Sequence, residues 1–143
     1  MKFTRVLTLL MVGILVALSL GSCSSGPAAP ITTVTLIIEN PDDPENPILN
    51  TTVEVQDENP TVLMAFQEGC IANEISYVLT DAEDSVRDIK DYKDVTVDGL
   101  TYYWIYLIDG VEPTQGKANA NAISEGQTIT YQYIVFDPAA EDE

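Results

Sequence analysis

The side chains best suited to binding chemistry are aromatic, and most of them lie in Thr101–Gly110, the densest aromatic and β-branched run of the chain. Tyr102, Trp104 and Tyr106 fall on every second residue, so a strand would place them on one face. Tyr131 lies in a second stretch of this kind. Because aromatic rings stack against ring-shaped ligands, these four residues are the candidate ligand-binding residues, together with the loop that follows the first stretch. The alternative is that they only pack in the core and between strands.

Histidine, which many kinds of catalysis use, is missing, whereas the 23 acidic residues leave catalysis by a pair of carboxylates open. The sequence has no histidine, which excludes Ser-His-Asp and Cys-His constellations and imidazole ligands for zinc. Asp98 and Asp109, the acids beside the aromatic run, each precede a glycine and are explained as turn residues. Asn40–Pro47 is acidic but lacks the spacing and the glycine of an EF-hand loop. We therefore predict a protein that is not an enzyme and that holds no metal or cofactor.

The N-terminus carries the pattern of a targeting segment. Two basic residues precede Val6–Leu20, a nearly unbroken apolar run, and Leu20-Gly21-Ser22-Cys23 resembles a bacterial lipobox. We predict a signal peptide over residues 1–22, lipidation of Cys23, a flexible tether over residues 23–30 and a place in the bacterial cell envelope outside the cytoplasm. A plain secretory signal or a membrane anchor helix is the alternative, although Val6–Leu20 is short for a spanning helix.

The charge of the chain limits its partners. The formal net charge is −17, and cleavage before Cys23 would leave −19, because two of the six basic residues and none of the 23 acidic residues precede it. Such a surface repels phosphate groups, so nucleic acid is excluded as a partner. Anionic lipid is excluded as a docking surface for the same reason, and the predicted acyl chains would make the membrane contact. Cys70 would then be the remaining thiol, and we expect it to act as a small buried hydrophobe.

Alternating apolar residues predict a sheet, and a capping signal predicts one short helix. The helix is expected over Thr61–Glu68, with its start signal at Asp57–Pro60 and Gly69 as a left-handed C-terminal cap. Thr101–Gly110 is apolar on both faces, so we expect a central strand covered on both sides. Ser85–Asp94 fits a helical turn as well as a loose strand. The predicted strands are Ile31–Glu39, Thr51–Gln56, Ile75–Thr80, Val95–Val97, Thr101–Gly110 and Gln127–Phe136.

These elements predict an α+β fold. One amphipathic helix can cover only one face of a mixed sheet, so we expect a β-grasp-like sheet packed on that helix, in a single domain over residues 31–137. The acidic tail, residues 138–143, is expected to be disordered.

The order of these signals resembles the DUF4430 family, domains of unknown function related to the C-terminal β-domain of transcobalamin and intrinsic factor. The resemblance runs from about Val34 to Phe136, and the sequence departs from the family pattern at Met64 and Gln127. The matching pieces are Pro60–Phe66, like the family's "TVLDAL" helix, Val95–Gly99, like "VTSING", Tyr103–Gly110, like "GWMYYVNG", and Ile123–Tyr131, like "LKDGDVIEWRY".

The resemblance implies a ligand-binding role. In transcobalamins this domain closes over cobalamin beside a helical domain, whereas this sequence predicts no helical domain and has no histidine to ligate cobalt. A corrinoid is therefore one candidate ligand by analogy. We predict a membrane-anchored extracellular binding module for a small molecule or a glycan. The alternative is a structural or adhesive surface module that engages a protein partner and has no small ligand.

Overall fold

The computed structural model of the protein describes residues 26–142, with side chains described as far as Ala140. The predicted signal peptide, Cys23 and the start of the tether lie outside the described residues. Within the described range no helix has the length and apolar character needed to cross a membrane. The elements are β1 (Ile31–Ile38), β2 (Leu49–Gln56), α1 (Val62–Ala72), β3 (Tyr77–Leu79), β4 (Val86–Ile89), β5 (Val95–Val97), β6 (Leu100–Ile108), β7 (Thr128–Phe136) and a 3-10 helix (Pro138–Asp142).

Five of the strands form one mixed sheet in the order β2-β1-β7-β6-β5. The first and last strands, β1 and β7, are parallel neighbours at its centre, and the other neighbours are antiparallel. β3 and β4 form a separate antiparallel hairpin. The mixed sheet and its helix confirm the predicted α+β class. For Ser85–Asp94 the sequence left a helical turn and a loose strand open. The strand is correct, since the first half of this segment is β4.

The core lies between the sheet and α1, and the alternation in the sequence predicts its members correctly. Val34, Leu36 and Ile38, every second residue from the middle of β1 to its end, are buried, and Val53 and Val55 of β2 are buried beside them. The helix contributes Phe66, which has no exposed surface, and Cys70. Burial raises the pKa of the Cys70 thiol to about 12, so the thiol stays protonated at neutral pH and behaves as the expected small hydrophobe.

The helix starts within one residue of the predicted Thr61, but both predicted caps and the predicted end are wrong. Thr61 is the N-cap, and its hydroxyl accepts a hydrogen bond from the Met64 N–H at 3.3 Å, whereas Asp57 caps a turn before the helix. The helix also continues past Gly69 to Ala72. Gly69 is buried against the sheet, because a Cβ built there would overlap Leu36 Cδ2. The glycine permits close helix–sheet packing instead of ending the helix.

The expectation that β6 is not an edge strand is confirmed, but the expectation that it is covered on both faces is wrong. β7 occupies the centre of the sheet, and β6 lies between it and the three-residue edge strand β5. Trp104 and Tyr106 are buried with the core, whereas Tyr103 and Ile105 on the alternate positions are only half-buried. α1 and the β3–β4 hairpin pack on one face of the sheet, so the other face of β6 stays partly open.

A 3-10 helix spans Pro138–Asp142 of the acidic tail, and the disorder of residues 138–143 stays a prediction. Asp137 starts this helix. Its side-chain Oδ1 accepts the Ala139 N–H at 3.0 Å, and its carbonyl accepts the Ala140 N–H at 3.2 Å. A local side-chain cap of this kind orders a turn without any packing against the core.

Candidate ligand-binding site

A partly open cavity of about 270 Å³ lies beside β6. Its walls come from β6, from Tyr131 of β7, from the start of the β3–β4 hairpin's second strand and from the loop after β6. The lining residues are Ser85, Val86, Tyr103, Trp104, Ile105, Tyr106, Glu112, Pro113, Gly116 and Tyr131.

The structure brings three of the four predicted site residues together at this cavity. Trp104, Tyr106 and Tyr131 line it, and the antiparallel register sets Tyr106 directly opposite Tyr131. Their rings lie 5.7 Å apart, centroid to centroid. Tyr102 is outside the cavity and stacks on Tyr133, at 6.1 Å and an interplanar angle of 26°. Tyr102 therefore belongs to a neighbouring aromatic cluster, which fits the packing alternative for this residue.

Trp104 is held rigidly between the cavity and that cluster. Its side chain is 7% exposed, and its indole N–H donates to the carbonyl of Tyr92 at 3.1 Å. The Tyr92 hydroxyl donates in turn to Asp42 Oδ2 at 2.6 Å, which fastens the acidic loop after β1. Tyr133 packs against Trp104, with ring centroids 5.1 Å apart. The indole is therefore a fixed wall of the cavity, since its only polar group already has a partner.

Tyr106 joins the β6 wall to the loop that closes the cavity. Its hydroxyl donates to the carbonyl of Gln115 at 3.2 Å and accepts from Asn121 Nδ2 at 2.6 Å. Asn121 Nδ2 also lies 2.6 Å from the Gln115 carbonyl and 2.9 Å from that of Lys117. The same loop meets the start of the helix, where the Leu63 N–H donates to the carbonyl of Ala118. The loop after Thr101–Gly110 is thus held by hydrogen bonds to Tyr106 on one side and to the start of α1 on the other. These bonds keep it beside the cavity.

Tyr131 is the cavity residue with an unmet hydrogen-bonding need. The side chain is 1% exposed, and among the described residues its hydroxyl has no hydrogen-bond partner. Burial raises the pKa of Tyr131 well above its ordinary value, so the hydroxyl keeps its proton. A protonated phenol can donate one hydrogen bond.

The sequence gives no signal for the remaining wall, which comes from the start of β4 and the far loop. Lys117 Nζ and Asp84 Oδ2 form an ion pair at 2.9 Å, and the Ala118 N–H donates to Ser85 Oγ at 3.3 Å. These contacts keep Ser85 in the cavity wall, although their partners lie more than thirty residues away in the sequence. Glu112 and Pro113 follow the Asp109-Gly110 turn after one residue, Val111, so the turn predicts that they lie near the aromatic strand.

The cavity wall is apolar and aromatic, with a few polar groups. Glu112 is its charged side chain, and no lysine or arginine belongs to the lining. In residues 26–142 no group of three or more cysteine, aspartate or glutamate side chains is placed to hold a metal ion. This is the composition of a pocket for a small organic molecule.

No protein-family model matches the sequence, and no curated protein matches it. Among solved structures the chain is similar to haptocorrin, in a crystal structure of haptocorrin in complex with Cbi. The TM-score is 0.58 at 16% sequence identity, and the match covers 78% of this chain. The chain has the fold of one part of haptocorrin. It spans 28% of the haptocorrin chain, so the comparison concerns that part alone. The transcobalamin-like fold implied by the sequence is therefore confirmed, and membership of the DUF4430 family stays a prediction.

Proposed function

We propose that this protein is a lipid-anchored binding module of the bacterial cell envelope, outside the cytoplasm, whose cavity takes a small molecule or one unit of a glycan. The observation that carries the proposal is the cavity built from Trp104, Tyr106, Tyr131 and the loop after β6. Aromatic walls with a few polar groups are typical of small-molecule sites. The fold similarity to haptocorrin, whose crystal structure is a complex with Cbi, supports a binding role.

We also assign the sheet to the β-grasp class. Strands β1 and β7, the first and last of the sheet, are parallel neighbours at its centre, and the helix follows the β1–β2 hairpin and packs across both of its strands. This arrangement supports the assignment, since it wraps one sheet around one helix.

Titration of the unliganded protein with corrinoids and envelope glycans tests the binding role. Trp104 is the one tryptophan of the sequence, so fluorescence excited selectively in the indole band reports on the cavity wall. We expect a saturable change in emission with at least one ligand. Glu112→Ala, which removes the charged side chain of the cavity lining from an exposed loop position, should weaken binding by about tenfold or more, the effect of roughly 1.4 kcal/mol.

Glu58→Ala is the matched control for this titration. Glu58 is likewise an exposed glutamate but lies outside the cavity, so its removal should leave the affinity unchanged. Equal effects of the two substitutions, or the absence of any saturable response, would contradict the proposed site.

Membrane attachment through Cys23 gives a second prediction. Cys23→Ser should abolish incorporation of labelled palmitate and move the protein from the membrane fraction to the soluble fraction, because a lipobox cysteine carries the acyl chains. Cys70→Ala is the control, and its product should stay in the membrane, since this thiol is buried and protonated. Retention of the Cys23→Ser protein in the membrane would show a different anchor.

One observation favours the alternative, a surface module that engages a protein partner. Apolar side chains are exposed at the β5 edge of the sheet, where Val95 is 41% and Val97 49% exposed, and Val135 of β7 is 54% exposed. An edge strand can pair with a strand of another protein. If no small ligand binds and Val97→Lys abolishes attachment to a cell-surface protein, this alternative replaces the cavity.

A further inference from the structure

We propose that the ligand of the cavity is a short free peptide, which binds as an added antiparallel strand on the open edge of β6 with its amino terminus beside Glu112. This inference rests on the proposed function, because it concerns the same cavity and names the class of molecule that the cavity takes.

β6 has an open edge on the side that faces away from β7. β5 covers the start of this side, as far as the pair of Val95 with Tyr102. At the other end the N–H groups of Ile108 and Val111 each donate to the carbonyl of the other residue, at 2.9 and 3.0 Å. Between these two ends, no strand or loop among residues 26–142 pairs with this side of β6. The open edge is therefore a gap of a few residues in the middle of the strand.

The hydrogen bonds at the end of β6 indicate which backbone groups lie at this edge. Successive residues of an antiparallel strand turn their N–H and C=O groups alternately to one side and to the other. The Asp109 N–H donates to the Thr128 carbonyl at 2.8 Å, on the β7 side, whereas Ile108 bonds away from β7. Counting back from Ile108 in steps of two, Tyr106 and Trp104 also turn their N–H and C=O groups away from β7. Donors and acceptors thus alternate along the open edge.

The β5–β6 hairpin gives the same assignment independently. Asp98 and Gly99 both have positive φ, 51° and 85°, which is the conformation of a two-residue type I′ turn. The N–H of the residue after such a turn donates to the carbonyl of the residue before it, so Leu100, paired with Val97, bonds towards β5. Trp104 is an even number of residues further along the strand, so its N–H and C=O groups point to the same side.

The cavity lies along this edge. Its lining includes the consecutive residues Tyr103–Tyr106, although alternate side chains of a strand point to opposite faces of the sheet. A cavity on one face would touch every second side chain. Contact with consecutive residues is expected at the edge of a strand, where the backbone of each residue is within reach. Tyr103 and Ile105 are therefore reached through their backbone, and the N–H and C=O groups of Trp104 and Tyr106 face the cavity.

The chemistry of this edge favours a peptide. An extended peptide carries N–H donors and C=O acceptors at the same spacing as the strand that it joins, so each group at the edge meets a partner. Addition of a strand to an open sheet edge is a recurring mode of peptide recognition. A sugar ring offers hydroxyl groups around its rim, and these do not reproduce the linear alternation of the edge.

The two ends of the gap set the length of the peptide. Three consecutive peptide residues are needed to pair with both Trp104 and Tyr106, since Ile105 lies between them. A long strand of another protein would meet β5 at one end of the gap and Val111 at the other. The gap therefore fits a free peptide of about three residues better than a segment of a folded partner.

Glu112 sets the direction of the peptide. The amino terminus of an antiparallel strand lies beside the end of β6, and Glu112 follows Val111 at that end. Its carboxylate can accept a hydrogen bond from the ammonium group of the peptide. No lysine or arginine belongs to the cavity lining, and the net charge of −17 attracts a cationic end. The same field disfavours a peptide with acidic side chains.

The experiment titrates tripeptide amides of alanine, leucine and phenylalanine into the full chain in detergent, followed by calorimetry. We expect at least one of them to bind saturably. The tightest binder is then methylated at the amide nitrogen of its second or of its third residue. One methylated peptide should bind at least about tenfold more weakly and the other should keep its affinity, because only alternate N–H groups of an added strand donate to β6.

Glu112→Gln tests the direction of the peptide. This substitution should weaken the peptide with a free amine by about tenfold and leave its acetylated form unaffected, since the acetylated form has no ammonium group. Glu58→Gln is the matched control, because Glu58 is an exposed glutamate outside the cavity. An equal effect of Glu112→Gln on both forms would overturn the assigned direction.

Amide hydrogen exchange gives a readout that needs no ligand. In the unliganded protein the N–H groups of Trp104 and Tyr106 should exchange faster than those of Tyr103 and Ile105, which bond to β7. Binding of the peptide should slow the exchange of the first pair. Equal protection of both pairs in the unliganded protein would mean that the edge is already paired, and it would overturn the inference.

The binding outcomes separate this inference from the proposed function. Equal effects of the two N-methyl groups overturn the added strand and leave the binding module standing. A saturable response to a glycan or a corrinoid, with none to the peptides, overturns the peptide as the ligand class and also leaves the binding module standing. A lack of response to every probe removes both.

Discussion

Replacing Phe66 with alanine should lower the free energy of unfolding by about 3–5 kcal/mol, a large part of the roughly 5–15 kcal/mol that stabilises an ordinary domain. Phe66 has no exposed surface. Its ring lies 4.6 Å from that of Tyr131 and 5.2 Å, edge to face, from that of Tyr77, so it joins the helix to the sheet and to the β3–β4 hairpin. Alanine would remove these contacts and leave a cavity at the centre of the core.

Urea denaturation followed by circular dichroism and by Trp104 fluorescence measures this loss. Phe136→Ala is the matched control, because Phe136 is the same residue type on β7 but is 37% exposed. We expect this control to lose less than about 1 kcal/mol, as is usual for partly exposed positions. Similar losses for the two variants would show that Phe66 is not at the centre of the core.

Local signals allowed the sequence to predict much of the sheet. Alternation alone identifies the buried face of β1, because neighbouring residues of a strand point to opposite sides. The Asp98-Gly99 and Asp109-Gly110 pairs are recognisable turns, and the structure gives both residues of each pair a positive φ, with 51° and 85° for the first pair and 51° and 78° for the second. Each of these predictions needs only a few consecutive residues.

The cavity depends on contacts between residues that are distant in the sequence. Tyr131 faces Tyr106 only because β7 pairs with β6 in one particular register. Ser85 reaches the cavity through the Asp84–Lys117 ion pair, and no spacing rule connects two residues so far apart. The sequence could therefore identify the aromatic residues that are candidates for a site, but it could not separate Tyr102 from the three that share the cavity.

Gly69 shows why a correct local rule can give a wrong result. A glycine at the end of an apolar helical stretch usually ends the helix in the left-handed conformation. Here Asn73 takes the C-terminal position, and its side chain donates to the carbonyl of Gly69 at 2.8 Å. The glycine is instead favoured by the surface opposite, because the side chains of Leu36 on β1 and Val53 on β2 occupy the space that a Cβ would need. Tertiary packing sets that requirement, so it cannot be predicted from the residues next to Gly69 in the sequence.

Gly69→Ala should consequently destabilise the protein, although alanine is the better helix former by about 1 kcal/mol. The new Cβ would overlap Leu36 Cδ2 and lie 3.1 Å from Val53 Cγ2. Leu36 is fully buried and cannot turn towards solvent, so the helix must move away from the sheet. Overpacking typically costs about 1–3 kcal/mol, and we expect a net loss of about 1–2 kcal/mol for alanine and about 3 kcal/mol for the larger valine.

A double-mutant cycle with Leu36→Val tests the cause of this loss. Shortening Leu36 removes the methyl group that the new Cβ meets, so Gly69→Ala should cost at least about 1 kcal/mol less in the Leu36→Val background than in the wild type. Gly116→Ala is the control, since a Cβ at Gly116 meets nothing within 4 Å and should not lower stability. A cap at Gly69 would behave differently: its replacement would cost the same in both backgrounds, because the penalty would then lie in the backbone conformation and not in the contact with Leu36.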